Sequence, residues 1–172
     1  MFKKFDPYRK DAPMGKVWCR FSTEPGIESR LIRWFTWSDW SHVDFVLANG
    51  KFLGARLDGG VRIRPHDYMI PSEFRYGYVE VKSPRIVYGW ATAQVGKAYD
   101  WKAVVGFLPR ASWQDPGRWF CSELFAAAFE KKERPIVDRL ASRITPQTAY
   151  ESVRVVKIDG VPDFIREMGF NF

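Results

Sequence analysis

Two residue types in this sequence can do covalent chemistry near neutral pH, and each occurs twice: Cys19, Cys121, His42 and His66. Cys121 stands at the head of WFCSELFAAAFEKK, a strongly helical segment. In the first turn of a helix, unpaired backbone N–H groups and the positive end of the dipole stabilise a thiolate. The same position also suits a small core residue, because free cysteines are among the most buried side chains and this helix has an apolar face. His42 begins the run HVDFV, where strand alternation puts its side chain on one face with Asp44 and Val46. An imidazole titrating near neutrality can take a thiol proton, so His42 and Cys121 make a base and a nucleophile if the fold brings them together. Cys19 lies mid-strand with no helix start beside it, and His66 lies in the Pro-bounded stretch RPHDY, which reads as a solvated loop. The spacing of these four residues lacks the short pairs of structural zinc sites, so neither a metal nor another cofactor is expected. No glycine-rich phosphate loop is present, since Gly59-Gly60 leads into a strand rather than a helix.

The elements that must position these residues follow from periodicity. Residues 16–22 alternate as a half-buried strand, and after Pro25-Gly26 the run IESRLIRWFTW repeats Ile27, Leu31, Trp34 and Phe35 at helical spacing. Trp34 and Phe35 are accordingly expected in the core. Asn49-Gly50 between two alternating runs, with Gly59-Gly60 introducing a third that ends at Pro65, predicts a three-strand antiparallel meander. RYGYVEV at 75–81 predicts a further strand, and Ser83-Pro84 starts a helix that stops near Gly96. A short apolar segment, WKAVVGFL, breaks at Pro109, and a polar loop through Asp115-Pro116-Gly117 leads to the cysteine helix. Near the end, Thr145 caps a short helix with Pro146 at its first position, followed by the strand-like RVVKI.

With 172 residues, 46% hydrophobic and 17% aromatic, the chain has the size and apolar content of one domain spanning 1–172, with 1–15 an irregular N-terminal arm. No apolar run approaches the roughly 18 residues that span a bilayer, and MFKKFDPYRKDAP carries charges where an export signal needs an apolar stretch. A cytoplasmic, reducing location and free thiols are therefore expected. A formal charge of +7 favours anionic polymers or anionic lipid surfaces as partners. The basic residues form no stripe, which argues against a specific nucleic-acid partner; the densest group, Lys131, Lys132 and Arg134, suits a solvated helix C-terminus.

HVDFVLANGKFLGA resembles the histidine hairpin of NlpC-type papain-like hydrolases, and FCSELFAAAF resembles their cysteine helix. In those enzymes the cysteine usually precedes the histidine. Here the order is reversed, which is similar to the circularly permuted branch containing YiiX-like hydrolases and the lecithin retinol acyltransferase group. GKAYDWKAVVGF, ahead of the cysteine helix, adds to the likeness. The resemblance implies an α+β, papain-like fold: an antiparallel sheet of about five or six strands packed against helices, with the cysteine at a helix N-terminus. It implies acyl transfer by Cys121 and His42. In such a step the oxyanion is expected to face the backbone N–H of Cys121 and the Tyr99 hydroxyl, and Trp37 and Trp40, close to His42 in sequence, are expected to line a groove for substrate.

The family's third polar residue orients the imidazole from the strand after the hairpin turn, and counting through Asn49-Gly50 puts Gly54 there. Asp44, on the face of His42, is the first substitute, and Asp58 the second choice. The implied substrates are amide bonds of bacterial cell wall, with peptidoglycan as the anionic polymer, or acyl bonds of a lipid or lipoprotein. A cell-wall enzyme without an export signal would reach the envelope through a phage particle, a holin or a secretion machine. A module that binds cell wall or assembles in a virion, with Gly54 marking lost chemistry, is the non-catalytic alternative.

Overall fold

A computed structural model describes residues 15–102 and 117–168. The arm expected over 1–15, apart from Gly15, lies outside the described residues. So do the apolar segment beyond Lys102 and the loop that follows it as far as Pro116. The elements run β1 (Lys16–Thr23), α1 (Ile27–Thr36), β2 (His42–Val46), β3 (Phe52–Arg56), β4 (Gly60–Arg64), β5 (Glu73–Glu80), α2 (Pro84–Thr92), β6 (Ala98–Tyr99) and β7 (Arg118–Trp119). They continue with α3 (Cys121–Lys132), a 3-10 turn (Ala141–Arg143), α4 (Pro146–Glu151), β8 (Val155–Ile158) and α5 (Asp163–Arg166).

Six strands form one antiparallel sheet in the order β4-β3-β2-β1-β5-β8. The first three of that order are the meander, and Gly50, at φ 76°, supplies the left-handed position its turn requires. A short parallel pair, β6 with β7, forms a second sheet beside β4, where the Val61 N–H donates to the Lys97 carbonyl. The fold is α+β and papain-like.

Strand alternation divides the core in two. Val17, Cys19, Phe21, Val43, Phe45 and Leu53 point to one side, where Leu124, Phe125 and Phe129 of α3 and Val87 and Ala91 of α2 cover them. Trp18, Val46, Phe52 and Tyr76 point to the other side and pack with Ile165 of α5. With both faces covered, HVDFV is buried at all five positions. Helix α3 is buried on every side from Cys121 to Phe129, and its run of small residues, Ala126 to Ala128, lets it approach the sheet closely. Phe125 lies 5.0 Å from Phe45 and 5.1 Å from Phe129, ring centre to ring centre. Each such buried phenylalanine stabilises the fold by on the order of 2 kcal/mol relative to exposure.

Helix α1 departs from expectation. Ile27, Leu31 and Trp34 face solvent, and Phe35 is half-buried at the margin of the main core. The fully buried residues of α1 are Ser29 and Thr36. Ser29 Oγ accepts the Glu24 N–H at 3.2 Å, and the Thr36 hydroxyl donates to the Ile32 carbonyl at 2.7 Å. Periodicity identifies the apolar side of a helix, but the turns at its ends decide which side meets the sheet. Helix α2 ends at Thr92, short of Gly96, and turn hydrogen bonds such as Gln94 N–H to Ala91 O carry the chain onward. Thr145 caps α4 as expected, its hydroxyl accepting the Thr148 N–H at 3.0 Å.

Candidate active site

Cys121 is the first residue of α3, and Phe120 before it is extended. The Phe120 N–H donates to the Glu123 carboxylate at 3.3 Å, fixing the start of the helix one residue ahead of the thiol. Helix α3 packs against β2, which brings this start to the start of the hairpin: Cys121 Sγ lies 4.0 Å from the carbonyl oxygen of Ser41, the neighbour of His42. Both Cys121 and His42 are almost wholly buried.

His42 Nε2 and Asp44 Oδ1 are 2.8 Å apart. Burial alone would drive the imidazole toward its neutral form. The charges of Asp44 and Cys121, and their hydrogen bonds to the ring, outweigh it and push His42 from an ordinary value of 6.5 up to about 9. Burial likewise opposes ionisation of Asp44, but His42, the Arg20 guanidinium and a hydrogen bond from Tyr68 hold its carboxyl well below the usual range. The Tyr68 hydroxyl donates to Asp44 Oδ2 at 2.8 Å, and Arg20 Nη2 lies 3.7 Å from the same oxygen. Arg20 is itself buried, with its guanidinium carbon 3.7 Å from the centre of the Phe52 ring. Asp44 is thus an ionised carboxylate fixed from three directions, with one oxygen aimed at the imidazole.

Gly54 is what makes room for it. The pairing of Phe45 with Leu53 places residue 54 opposite residue 44 across the hairpin. A Cβ on residue 54 would lie 2.0 Å from Asp44 Oδ1 and 3.3 Å from His42 Nε2. The carboxylate of Asp44 therefore occupies space that any side chain at 54 would claim, and it reaches the imidazole from the histidine's own strand.

The other expected residues divide. Tyr99 is buried in β6 and lines a cleft with Ser41, His42, Ser29, Ile32 and Arg56. The cleft encloses about 30 Å³, room for a water or two. Burial and the charge of Cys121 push the Tyr99 hydroxyl well above its ordinary value, so it stays a proton donor. Trp40 is a core residue rather than a cleft residue, packed on Phe21 and Tyr150. Trp37 caps α1 in the left-handed region at φ 52°, exposed and away from the cleft lining. Asp58 is exposed and pairs with Arg56 and Arg64, not with His42. Cys19 is buried beneath the sheet, where desolvation raises its thiol far above the ordinary range. His66 is half-buried in the loop after β4. Arg20 and Tyr68 were absent from the sequence reading. Arg20 sits opposite Asp44 on β1, a pairing across distant strands, and Tyr68 lies in the RPHDY loop whose histidine alone drew notice.

A buried imidazole, held by a carboxylate and placed at the start of a cysteine helix on an antiparallel sheet, defines a fold of the YiiX-like kind. Among solved structures it is similar to that of the metalloprotein yiiX from Escherichia coli O157:H7, with a TM-score of 0.59, 18% identity, and coverage of 84% of this chain and 96% of that one. No family model and no curated protein matches the sequence. That neighbour is described as a metalloprotein. Among the described residues no three His, Cys, Asp or Glu side chains gather into a ligand set. His42 Nε2 is occupied by Asp44. Nor is any helix among the described residues long and apolar enough to cross a membrane.

Proposed function

We propose that this protein is a cysteine-dependent acyl hydrolase of the circularly permuted NlpC type. The observation that carries the reading is the buried His42–Asp44 pair set beside Cys121 at the N-terminus of α3. With Nε2 engaged by Asp44, the other ring nitrogen, Nδ1, is left for the thiol. His42 takes the Cys121 proton, the thiolate attacks an ester, thioester or amide carbonyl, and the imidazolium returns the proton to the leaving oxygen, sulfur or nitrogen. Water, deprotonated by the same imidazole, then releases the acyl group from sulfur. Asp44 keeps the ring in one orientation and favours its charged form. The oxyanion faces the backbone N–H of Cys121 and the Tyr99 hydroxyl, donors of a kind that contribute roughly 3 kcal/mol each in other enzymes. The resemblance offers two substrate classes, amides of bacterial cell wall and acyl bonds of lipids or lipoproteins, and the charge of +7 suits an anionic form of either.

The test is the pH dependence of Cys121 alkylation, with Cys19 replaced by Ser so that a single thiol reports. A thiolate reactive below pH 7 that disappears in His42→Ala supports the pair. A thiol that is unreactive, or indifferent to His42, overturns the proposal in favour of a non-catalytic module on the same fold.

A further inference from the structure

Helix α1 turns its apolar side to solvent. Ile27, Leu31 and Trp34 are 75%, 49% and 63% exposed and follow one another at i, i+4 and i+7, and Trp37, the C-cap of the helix, is 85% exposed. Single exposed apolar side chains are ordinary on a protein surface, but three on one face of a short helix, with a tryptophan beyond them at its cap, call for a partner. Arg30, on the same helix, is exposed, and the chain as a whole carries +7. The inward side of the same helix contributes Glu28, Ser29 and Ile32 to the cleft that holds His42.

We propose that α1 docks this protein on an anionic lipid surface. Ile27, Leu31, Trp34 and Trp37 enter the boundary between headgroups and acyl chains, and Arg30 faces the phosphates. Tryptophan favours that boundary because its ring is apolar and its N–H polar, and an amphipathic helix with Trp and Leu on one side and Arg beside them suits such a plane. The row offers on the order of 500 Å², short of the roughly 800 Å² per partner of a standard protein–protein interface. A bilayer sets no such threshold, since its contribution grows with each side chain that enters. The docking does not rest on the acyl-transfer reading.

The experiment is co-sedimentation with phosphatidylcholine vesicles, with and without about 30 mol% phosphatidylglycerol, at low and high salt. The protein is expected to partition onto the anionic vesicles and to be released by salt. Trp34→Ser with Trp37→Ser is expected to lower partitioning at least tenfold, and Arg30→Gln to lower it about fivefold. Circular dichroism and retained Cys121 alkylation certify that these surface variants fold. Cys121→Ser is expected to bind vesicles as the unaltered protein does, so loss of the chemistry and loss of docking are separately visible. Absence of partitioning overturns the proposal, as does equal binding to neutral vesicles or binding indifferent to the two tryptophans. Self-association in the absence of lipid that the same double substitution abolishes would assign the row to a second copy and likewise overturn it.

Discussion

One added methyl group at Gly54 is expected to dismantle the His42–Asp44 pair. In Gly54→Ala the new Cβ would fall 2.0 Å from Asp44 Oδ1 and 3.2 Å from Asp44 Cγ, where contacts under 3.0 Å essentially never occur. The carboxylate has to withdraw by about 1 Å or rotate away, and its 2.8 Å contact with Nε2 is lost in either case. Burial, which opposes the charged ring, is then answered by Cys121 alone, and the His42 pKa falls from about 9 toward its ordinary 6.5. At ~1.36 kcal/mol per pKa unit, the imidazolium loses up to about 3 kcal/mol of preferential stabilisation. Stability carries the same signature. Because the folded-state pKa is raised, the contribution is fully present below about pH 6.5 and is lost as pH rises through about 9, and in Gly54→Ala that decline should flatten. The assay is an NMR titration of the imidazole C–H resonances, with His66→Gln so that His42 alone is observed. A His42 midpoint that stays near 9 in Gly54→Ala would refute the reasoning, because the carboxylate would then not depend on the empty position.

Three further outcomes are expected. The rate of acyl transfer should fall as pH rises through about 9, where the imidazolium that protonates the leaving group is lost, and Asp44→Asn should move that limb toward pH 6.5; a pH–rate profile with any cleavable thioester reads both. Tyr99→Phe should lower kcat by roughly 100-fold with little change in KM if its hydroxyl faces the oxyanion, and by far less if it only fills the cleft. Tyr68→Phe should cost about 1 to 3 kcal/mol in urea unfolding, because it removes a part-buried hydrogen bond to an ionised carboxylate, and should raise the Asp44 pKa.

The parts of the fold that were legible in the sequence are those fixed by neighbours along the chain. The Asn49-Gly50 turn placed the meander, the run from Cys121 placed α3, and the i, i+2 spacing of His42 and Asp44 put both on one strand face, where they touch. What was not legible depends on distant pairings. Trp34 and Trp40 have similar surroundings in sequence, yet one faces solvent and the other lies on Phe21 and Tyr150. Only the docking of α1 through Ser29, Ile32 and Thr36 separates them. Arg20 belongs to the site because β1 lies beside β2, and Tyr68 because the loop after β4 folds back over β3 toward Asp44. Gly54 looked like a missing group when read along the chain, and across the hairpin it is the vacancy that a neighbour's carboxylate fills.

That vacancy ties positions 44 and 54 into one unit of inheritance. While 44 holds an aspartate reaching across the hairpin, a side chain at 54 is penalised. If a polar side chain at 54 were to orient the imidazole instead, 44 would have to shrink. The single steps between these two arrangements pass through a protein with either two groups in one space or none, so a lineage moving from one to the other should change both codons nearly together. The double variant Asp44→Ala with Gly54→Gln should therefore outperform either of its parents.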